Sequence, residues 1–333
     1  MNVLVTGGAG YIGSHMVKML RRAGAEVVVF DNLSNGERAA VVGGTFVRGD
    51  INDAAGVAAV FERFRIDAVM HFAALIQVGE SMREPAKYYR TNFAGTLNVL
   101  DAMRAAAVRY FIFSSSAAIF GEPQYTPIDE AHPAAPINPY GFSKWAVERV
   151  LAEYDRAYGI RSVSLRYFNA AGADPEGELG ECHEPETHLI PLVLQAASGR
   201  CRSITIYGTD YPTVDGTCIR DYIHVDDLCQ AHLKALEFLM RGERSAAYNL
   251  GNGLGFSVRQ IIDAAERVTG RPIAVEMGPR RAGDPAVLVA DSKRAIAELG
   301  WRPKYRELET ILRHAWAWER RRARDDKQGT NAE

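Results

Sequence analysis

Residues 3 to 15 read VLVTGGAGYIGSH, and this glycine spacing restricts the possible folds more than any other stretch. NVLVTG reads as a strand, and a helical pattern follows over 11–23. Gly7, Gly10 and Gly13 lie between them. Glycines so placed allow a tight turn, close approach of backbone to a pyrophosphate, and tight packing of helix on strand. The helix start then offers free N–H groups and partial positive charge to phosphate oxygens. A glycine triplet alone is weak evidence, but here an acid, Asp31, ends the next apolar run, AEVVVFD. Such an acid accepts hydrogen bonds from the adenosine ribose and repels a 2′-phosphate, which favours NAD over NADP. Asp50 and Ile51 close a third run, TFVRGDI, and could flank the adenine.

Short apolar runs continue to alternate with helical stretches. DAVMHFA, VRYFIFSS and RSVSLRYF read as strands, with helices over 53–65, 86–107 and 140–158. Nearly continuous apolar strands separated by helices indicate a parallel sheet covered on both faces. The expected fold class is α/β, a doubly wound parallel (Rossmann) sheet with ligands at the carboxyl ends of its strands. After Asn169 the pattern changes to a long Gly-, Pro- and acid-rich loop, NAAGADPEGELGECHEPE, and then to shorter elements. These elements are helices near 188–198, 225–240, 257–268 and 305–320 and a strand at SITIYG. The division expected is a dinucleotide-binding domain over 1–168 and a smaller α/β substrate domain over 169–333. Some elements near 221–250 are expected to return to the first sheet.

Composition narrows the partners. The 333 residues are 47% hydrophobic and 24% charged with a formal net charge of -2, which excludes disorder and gives no electrostatic reason for nucleic acid or an anionic membrane. Cys182, Cys201, Cys218 and Cys229 have no C-x-x-C spacing, so neither a zinc site nor a disulfide framework is expected, and no metal is assigned. No apolar run reaches the roughly 18 residues of a membrane helix. The strand begins at once, leaving no room for a leader, and a cytoplasmic location is expected. The charged tail from Glu319 is expected to fray.

The segment NPYGFSKWAVE carries Tyr140 and Lys144 four residues apart, on one face of a helix start. After a Pro-rich loop, both should point toward the strand ends where a nicotinamide would lie. A free tyrosine, with a pKa of about 10, is a poor base at neutral pH. An ammonium within about 4–6 Å and the positive nicotinamide both favour the phenolate. Lowering the pKa by about 3 units takes roughly 4 kcal/mol. Ser116, at the end of the preceding strand, would offer its hydroxyl to the same reacting oxygen, and Lys144 could also hold the nicotinamide ribose.

TGGAGYIGSH, FSSSAAIFG, NPYGFSK, RYFNAAGADP and YGTDYPTVDGTCIRDYIHVDDL closely resemble the extended short-chain dehydrogenase/reductase family, over nearly the whole length. The last of these is similar to the branch that epimerises nucleotide sugars at C4. The resemblance implies a bound NAD, a UDP-sugar substrate and a homodimer paired through helices near 86–107 and 140–158. It implies Ser116, Tyr140 and Lys144 as catalytic residues, Tyr140 removing the proton from the sugar 4-hydroxyl. Tyr11 and Ile12 would line the pyrophosphate, with Asp31 and Asn32 on the ribose. Phe72, Ala73, Thr91, Asn92 and Phe168 would complete the cofactor pocket. Asn169, His188, Leu189, Tyr207, Arg220, Arg281 and Asp284 would bind the nucleotide sugar, the two guanidiniums clamping the diphosphate.

The chain departs from that pattern at Ala118, where Thr or Ser is common, at Phe120, a frequent Tyr, and at Ile76, where some members carry Lys. Leu288 matches the position that gates room for a 2-acetamido group, so acceptance of N-acetyl sugars is open. A nucleotide-sugar 4,6-dehydratase would need an Asp-Glu pair where Ala117-Ala118 stands. A pentose nucleotide 4-epimerase and a non-catalytic NAD-binding regulator remain the competing readings.

Overall fold

Period-2 alternation along the first strand sets the layering. In β1 (Asn2–Thr6), Val3 and Val5 face one side and Leu4 the other, and all three are buried. The computed structural model describes residues 1–281 and 284–329, with side chains through 324. β1 is followed by β2 (Glu26–Asp31), β3 (Thr45–Arg48), β4 (Ala68–His71), β5 (Tyr110–Ser116) and β6 (Arg161–Tyr167). Then come β7 (Asn169–Ala171), β8 (Ile204–Tyr207), β9 (Ile219–His224), β10 (Ala246–Leu250), β11 (Gly255–Ser257), β12 (Val275–Gly278) and β13 (Val287–Leu288).

Seven strands form one sheet in the order β10-β6-β5-β4-β1-β2-β3, every adjacent pair parallel. The expected doubly wound α/β fold is therefore the observed one. Val3 and Val5 pack with Met16 and Leu20 of the helix Tyr11–Arg22 and with Leu228 and Ala235 of the helix Val225–Met240. Leu4 packs with Val57, Met103 and Val147 from the helices on the opposite face. Each such fully buried side chain contributes about 1.5–3 kcal/mol. The strand order reverses at β1, which lies between β4 and β2, and a crevice opens there at the carboxyl ends.

The rest of the chain builds a second layer of packing over those ends. The helices Leu189–Ser198, Val258–Thr269 and Leu308–Gly329 share a core around Val193, Ile261 and Ile311. β9 is flanked by antiparallel β11 and parallel β13, with β7 alongside, while β8 pairs with β12. β10 leaves this region and joins the large sheet beside β6.

Two expectations are corrected. The helix expected over 86–107 runs unbroken from Pro85 to Ala105 but is not α-helical throughout: Pro85–Tyr88 and Gly95–Ala105 are α-helical, and Tyr89–Ala94 between them form a π turn. That wider turn carries Asn92, whose amide accepts from Leu75 N at 2.8 Å and donates to Leu75 O at 2.9 Å. The tail does not fray at Glu319. That carboxylate is buried, accepting from Ser198 Oγ at 2.7 Å and Arg200 at 3.1 Å, and the helix runs on to Gly329. Residues 330–333 of the tail lie outside the described residues. Among the described residues no helix is long and apolar enough to cross a membrane.

Candidate active site

The glycine turn is shaped by contacts that only glycine allows. Gly7 has φ +71°, and a Cβ there would meet Ala73 N at 2.5 Å. A Cβ on Gly13 would meet Gly7 O at 2.1 Å. The following helix has no side-chain cap and no acid in its first turn, so its leading N–H groups face the crevice without a built-in anion. Asp31 closes β2 beside it, accepting from Ala9 N at 2.9 Å and Leu33 N at 2.8 Å. Each carboxylate oxygen keeps a second lone pair for a ligand. Asn32 donates to Asp50 at 2.9 Å, which ties the ends of β2 and β3 together.

These residues line one cavity of about 1270 Å³ that runs from the glycine turn to β8 and β13. Gly7, Gly10, Tyr11, Ile12, Gly13, Asp31, Asn32, Asp50, Ile51, Phe72, Ala73, Thr91 and Phe168 are all on its wall. So are Ser116, Tyr140, Lys144, Asn169, His188, Leu189, Tyr207, Arg220, Arg281 and Asp284. Asn92 is the exception. It stands behind the wall, 2% exposed, and holds Leu75 in place from there. Of the departing residues, Ile76, Ala118 and Leu288 reach the cavity, whereas Phe120 is wholly buried against Ile119 and Ile128.

Ser116 ends β5, and Tyr140 and Lys144 share the first turns of the helix Pro139–Tyr158. Asn138 caps that helix, accepting from Gly141 N at 2.8 Å, and Pro139 follows at its first position. The Lys144 ammonium donates to Ser114 O at 2.8 Å and lies 5.9 Å from the Tyr140 ring centre. The ammonium is one of the two cations expected to favour the phenolate, and the protein's own groups act against that form. Burial raises the Tyr140 pKa above its ordinary value, and the hydrogen bond with Ser116 opposes this only in part. A pocket that excludes water penalises both charged forms, so burial also pushes Lys144 down to about 7.

This last shift has a consequence for stability. The unfolded chain keeps the lysine proton up to the ordinary value of 10.5, whereas the fold sheds it near 7. The contribution of Lys144 to stability therefore rises with pH across that window and is least favourable below it. In cofactor-free protein, Lys144→Met is expected to raise the urea midpoint, most clearly at about pH 6, and to flatten this slope. A midpoint that falls at that pH would overturn the reading.

Arg220 and Arg281 approach the far end from different elements. Arg220 Nη1 donates to Pro285 O at 2.8 Å, and its Nη2 lies 3.4 Å from Asp284. Arg281 stacks over the Tyr207 ring at 4.0 Å. Asn169 donates to Asp221 O at 2.9 Å. The sequence reading passed over three neighbours in the long loop, Glu181, His183 and Glu186. Glu181 pairs closely with His188 and lies 3.2 Å from His183. Burial works to raise the Glu181 carboxyl, but the two imidazoles hold it at about 2. Burial works to lower His183, but the glutamates win and hold it near 9. The signal was the run Glu-x-His-x-x-Glu-x-His over 181–188.

The chain is similar to known proteins over nearly its whole length. Residues 3–251 match the NAD dependent epimerase/dehydratase family. A UDP-glucose 4-epimerase of Halalkalibacterium halodurans is 51% identical over 318 residues, covering 96% of this chain and 95% of the relative. The crystal structure of a UDP-glucose 4-epimerase from Brucella ovis in complex with NAD superposes with a TM-score of 0.92 at 52% identity, covering 95% and 97% of the two chains. A UDP-glucose 4-epimerase from Stenotrophomonas maltophila with bound NAD and formylated UDP-arabinopyranose gives a TM-score of 0.94 at 41% identity, covering 98% and 99%. The chain, with its glycine turn and its Ser116, Tyr140 and Lys144 on one cavity, belongs to the NAD dependent epimerase/dehydratase family.

Proposed function

We propose that this protein is a UDP-glucose 4-epimerase, interconverting UDP-galactose and UDP-glucose with NAD held in the site. The observation that carries the reading is the single cavity on which the glycine turn, Ser116, Tyr140, Lys144 and the arginines Arg220 and Arg281 converge. The residues present fit the cofactor: the Gly7 and Gly13 contacts leave a cradle that any Cβ would fill, and Asp31 offers ribose-accepting oxygens. Tyr11, Ile12, Asn32, Asp50, Ile51, Phe72, Ala73, Thr91 and Phe168 would surround it, with Asn92 positioning Leu75 behind them.

NAD⁺ held there would supply a reversible hydride acceptor for C4 of the sugar. Tyr140 acts as base, taking the proton of the 4-hydroxyl through its phenolate and giving it back at the end. Ser116 hydrogen-bonds the phenol, and Lys144 supplies a cation to the same corner. Because burial alone opposes the phenolate, its formation depends on positive charge gathered around the ring. Asn169, His188, Leu189, Tyr207 and Asp284 line the nucleotide end, where Arg220 and Arg281 clamp the diphosphate. A cavity of about 1270 Å³ leaves room for the keto sugar to turn about its diphosphate.

The test is to incubate purified protein with UDP-galactose, adding no NAD⁺, and to follow UDP-glucose. Turnover is the expected result, since a cofactor restored in every cycle need not leave. Absence of turnover even with added NAD⁺ would overturn the proposal. A UDP-pentose is the second substrate to assay, because the Stenotrophomonas structure holds formylated UDP-arabinopyranose. We further propose a cytoplasmic homodimer. Its support is the exposed pair Tyr89 and Phe142, 6.0 Å apart, on the helices expected to pair. Light scattering should give twice the chain mass, and a monomer would rule the dimer out.

A further inference from the structure

We propose that Glu181, His183, Glu186 and His188 form a binding site for a zinc-class divalent cation, one the sequence reading did not assign. One ligand atom from each of the four lies within 4.8 Å of all the others. Around a tetrahedral zinc with bonds of about 2.0–2.2 Å, neighbouring ligand atoms are roughly 3.3–3.6 Å apart. The group therefore needs only side-chain movements of about an ångström to close on an ion.

One feature points to a ligand beyond the ion pairs within the group. Glu186 has a side chain only 4% exposed, and its Oε1 accepts from Thr187 N at 2.7 Å and His188 N at 2.9 Å. These bonds fix the carboxylate, yet its Oε2 is buried with no hydrogen-bond partner. His183 Nδ1 lies beside it, 3.2 Å from a Glu181 oxygen and 3.8 Å from Glu186 Oε1, so it can pair with these carboxylates when protonated and face an ion when not. A buried carboxylate oxygen left without a partner is costly unless something satisfies it. A cation within the group does so.

The donor set selects the ion. Two imidazoles with two carboxylates suit zinc, whereas magnesium prefers oxygen ligands and retained waters. His183, Glu186 and His188 are on the wall of the large cavity, which gives the ion a route of entry. Without metal each imidazole can keep a proton and pair with Glu181, and the ion displaces those protons.

The backbone around the group gives the ion a structural role. Glu181 O accepts from Trp318 Nε1 at 3.0 Å, and Tyr11 in the first helix donates to Gly172 O at 2.8 Å. The loop thus spans from the first helix to the last, and it ends at His188 and Leu189 on the cavity wall. An ion held by Glu181, His183 and Glu186 would clasp the loop just before that wall.

The experiment uses full-length holoenzyme treated with EDTA, dialysed and titrated calorimetrically with zinc chloride, with magnesium chloride as the parallel probe. One zinc per chain is expected and no saturable heat from magnesium, and Co²⁺ should give the intense visible bands of four-coordinate geometry. His183→Gln and Glu186→Gln should each weaken zinc binding at least about tenfold, with circular dichroism unchanged. The proposal fails if zinc gives no saturable heat. It fails equally if zinc binds both variants as tightly as the parent, since exposed histidines would then hold it. If both variants lose their fold, the Co²⁺ spectrum of the unaltered protein decides: octahedral bands overturn the site and four-coordinate bands support it.

Discussion

Tyr140→Phe is expected to lower kcat for UDP-galactose about a thousandfold, within the usual range for loss of a positioned acid–base group. This equals about 4 kcal/mol of transition-state stabilisation. The change removes one oxygen atom from the cavity wall, where its neighbour Ser116 also accepts from Ala118 N at 3.1 Å. A serine hydroxyl is far too weak a base to replace a phenolate, and Lys144 already donates to Ser114 O. Since the ring stays, packing and cofactor retention should be unchanged, so the loss should fall on kcat rather than KM. The assay compares initial rates, bound NAD and thermal midpoint in the two proteins. A variant that keeps more than about a tenth of the rate would show that another group takes the proton. A non-catalytic NAD-binding protein would show no rate to lose.

Asp221→Ala is expected to cost about 3–5 kcal/mol of folding stability and to raise KM for the nucleotide sugar. Asp221 is fully buried in β9, between Arg220 and Tyr222. Its carboxylate accepts from Asn252 N at 2.6 Å, Gly253 N at 3.0 Å and Ala290 N at 3.1 Å. Burial pushes its carboxyl up to about 6 against these three donors, so at neutral pH it is ionised and held by them. Alanine would leave three buried N–H groups unpaired, each at about 1–3 kcal/mol, with partial relaxation. The same three bonds join β9 to the turn after β10 and to the segment after β13. Arg220, next in the chain, would lose its fixed backbone. Urea unfolding of the NAD-bound protein measures the first effect and substrate titration the second. A loss below about 1 kcal/mol would show that the donors find other partners. Asp221→Asn, which keeps the shape and one acceptor oxygen, should fall between alanine and the parent.

The parts of this protein legible in its sequence are those whose physics is local. The first strand, glycine turn and helix form a continuous segment, and Gly7 and Gly13 stand where a side chain would collide. Tyr140 and Lys144 share a helix face because they are four residues apart. Even there, local spacing leaves one point to the assembled pocket. The spacing brings the ammonium near the phenol, and burial, which only the closed pocket sets, raises the phenol and lowers the lysine. The π turn at Tyr89–Ala94 left no trace in the apolar pattern, because it is tied to the amide bonds of Asn92 with a loop 17 positions earlier in the chain. Tyr207, Arg220 and Arg281 were singled out only through family likeness, since nothing in their local sequence distinguishes them from surface residues.

By itself the sequence determined the parallel α/β sheet, the place of the dinucleotide turn and the helix that carries the tyrosine. Hydrophobic periodicity and glycine sterics act over a few residues and need no distant partner. Tertiary structure alone decided that β9 would bring Arg220 to the cavity that Ser116 ends on. It alone decided that Asp221 would bind three distant N–H groups, and that Glu186 would keep a buried carboxylate oxygen unpaired. Those outcomes depend on which surfaces exclude water once the layers close, and burial sets the cost of every charge and unpaired polar atom inside them.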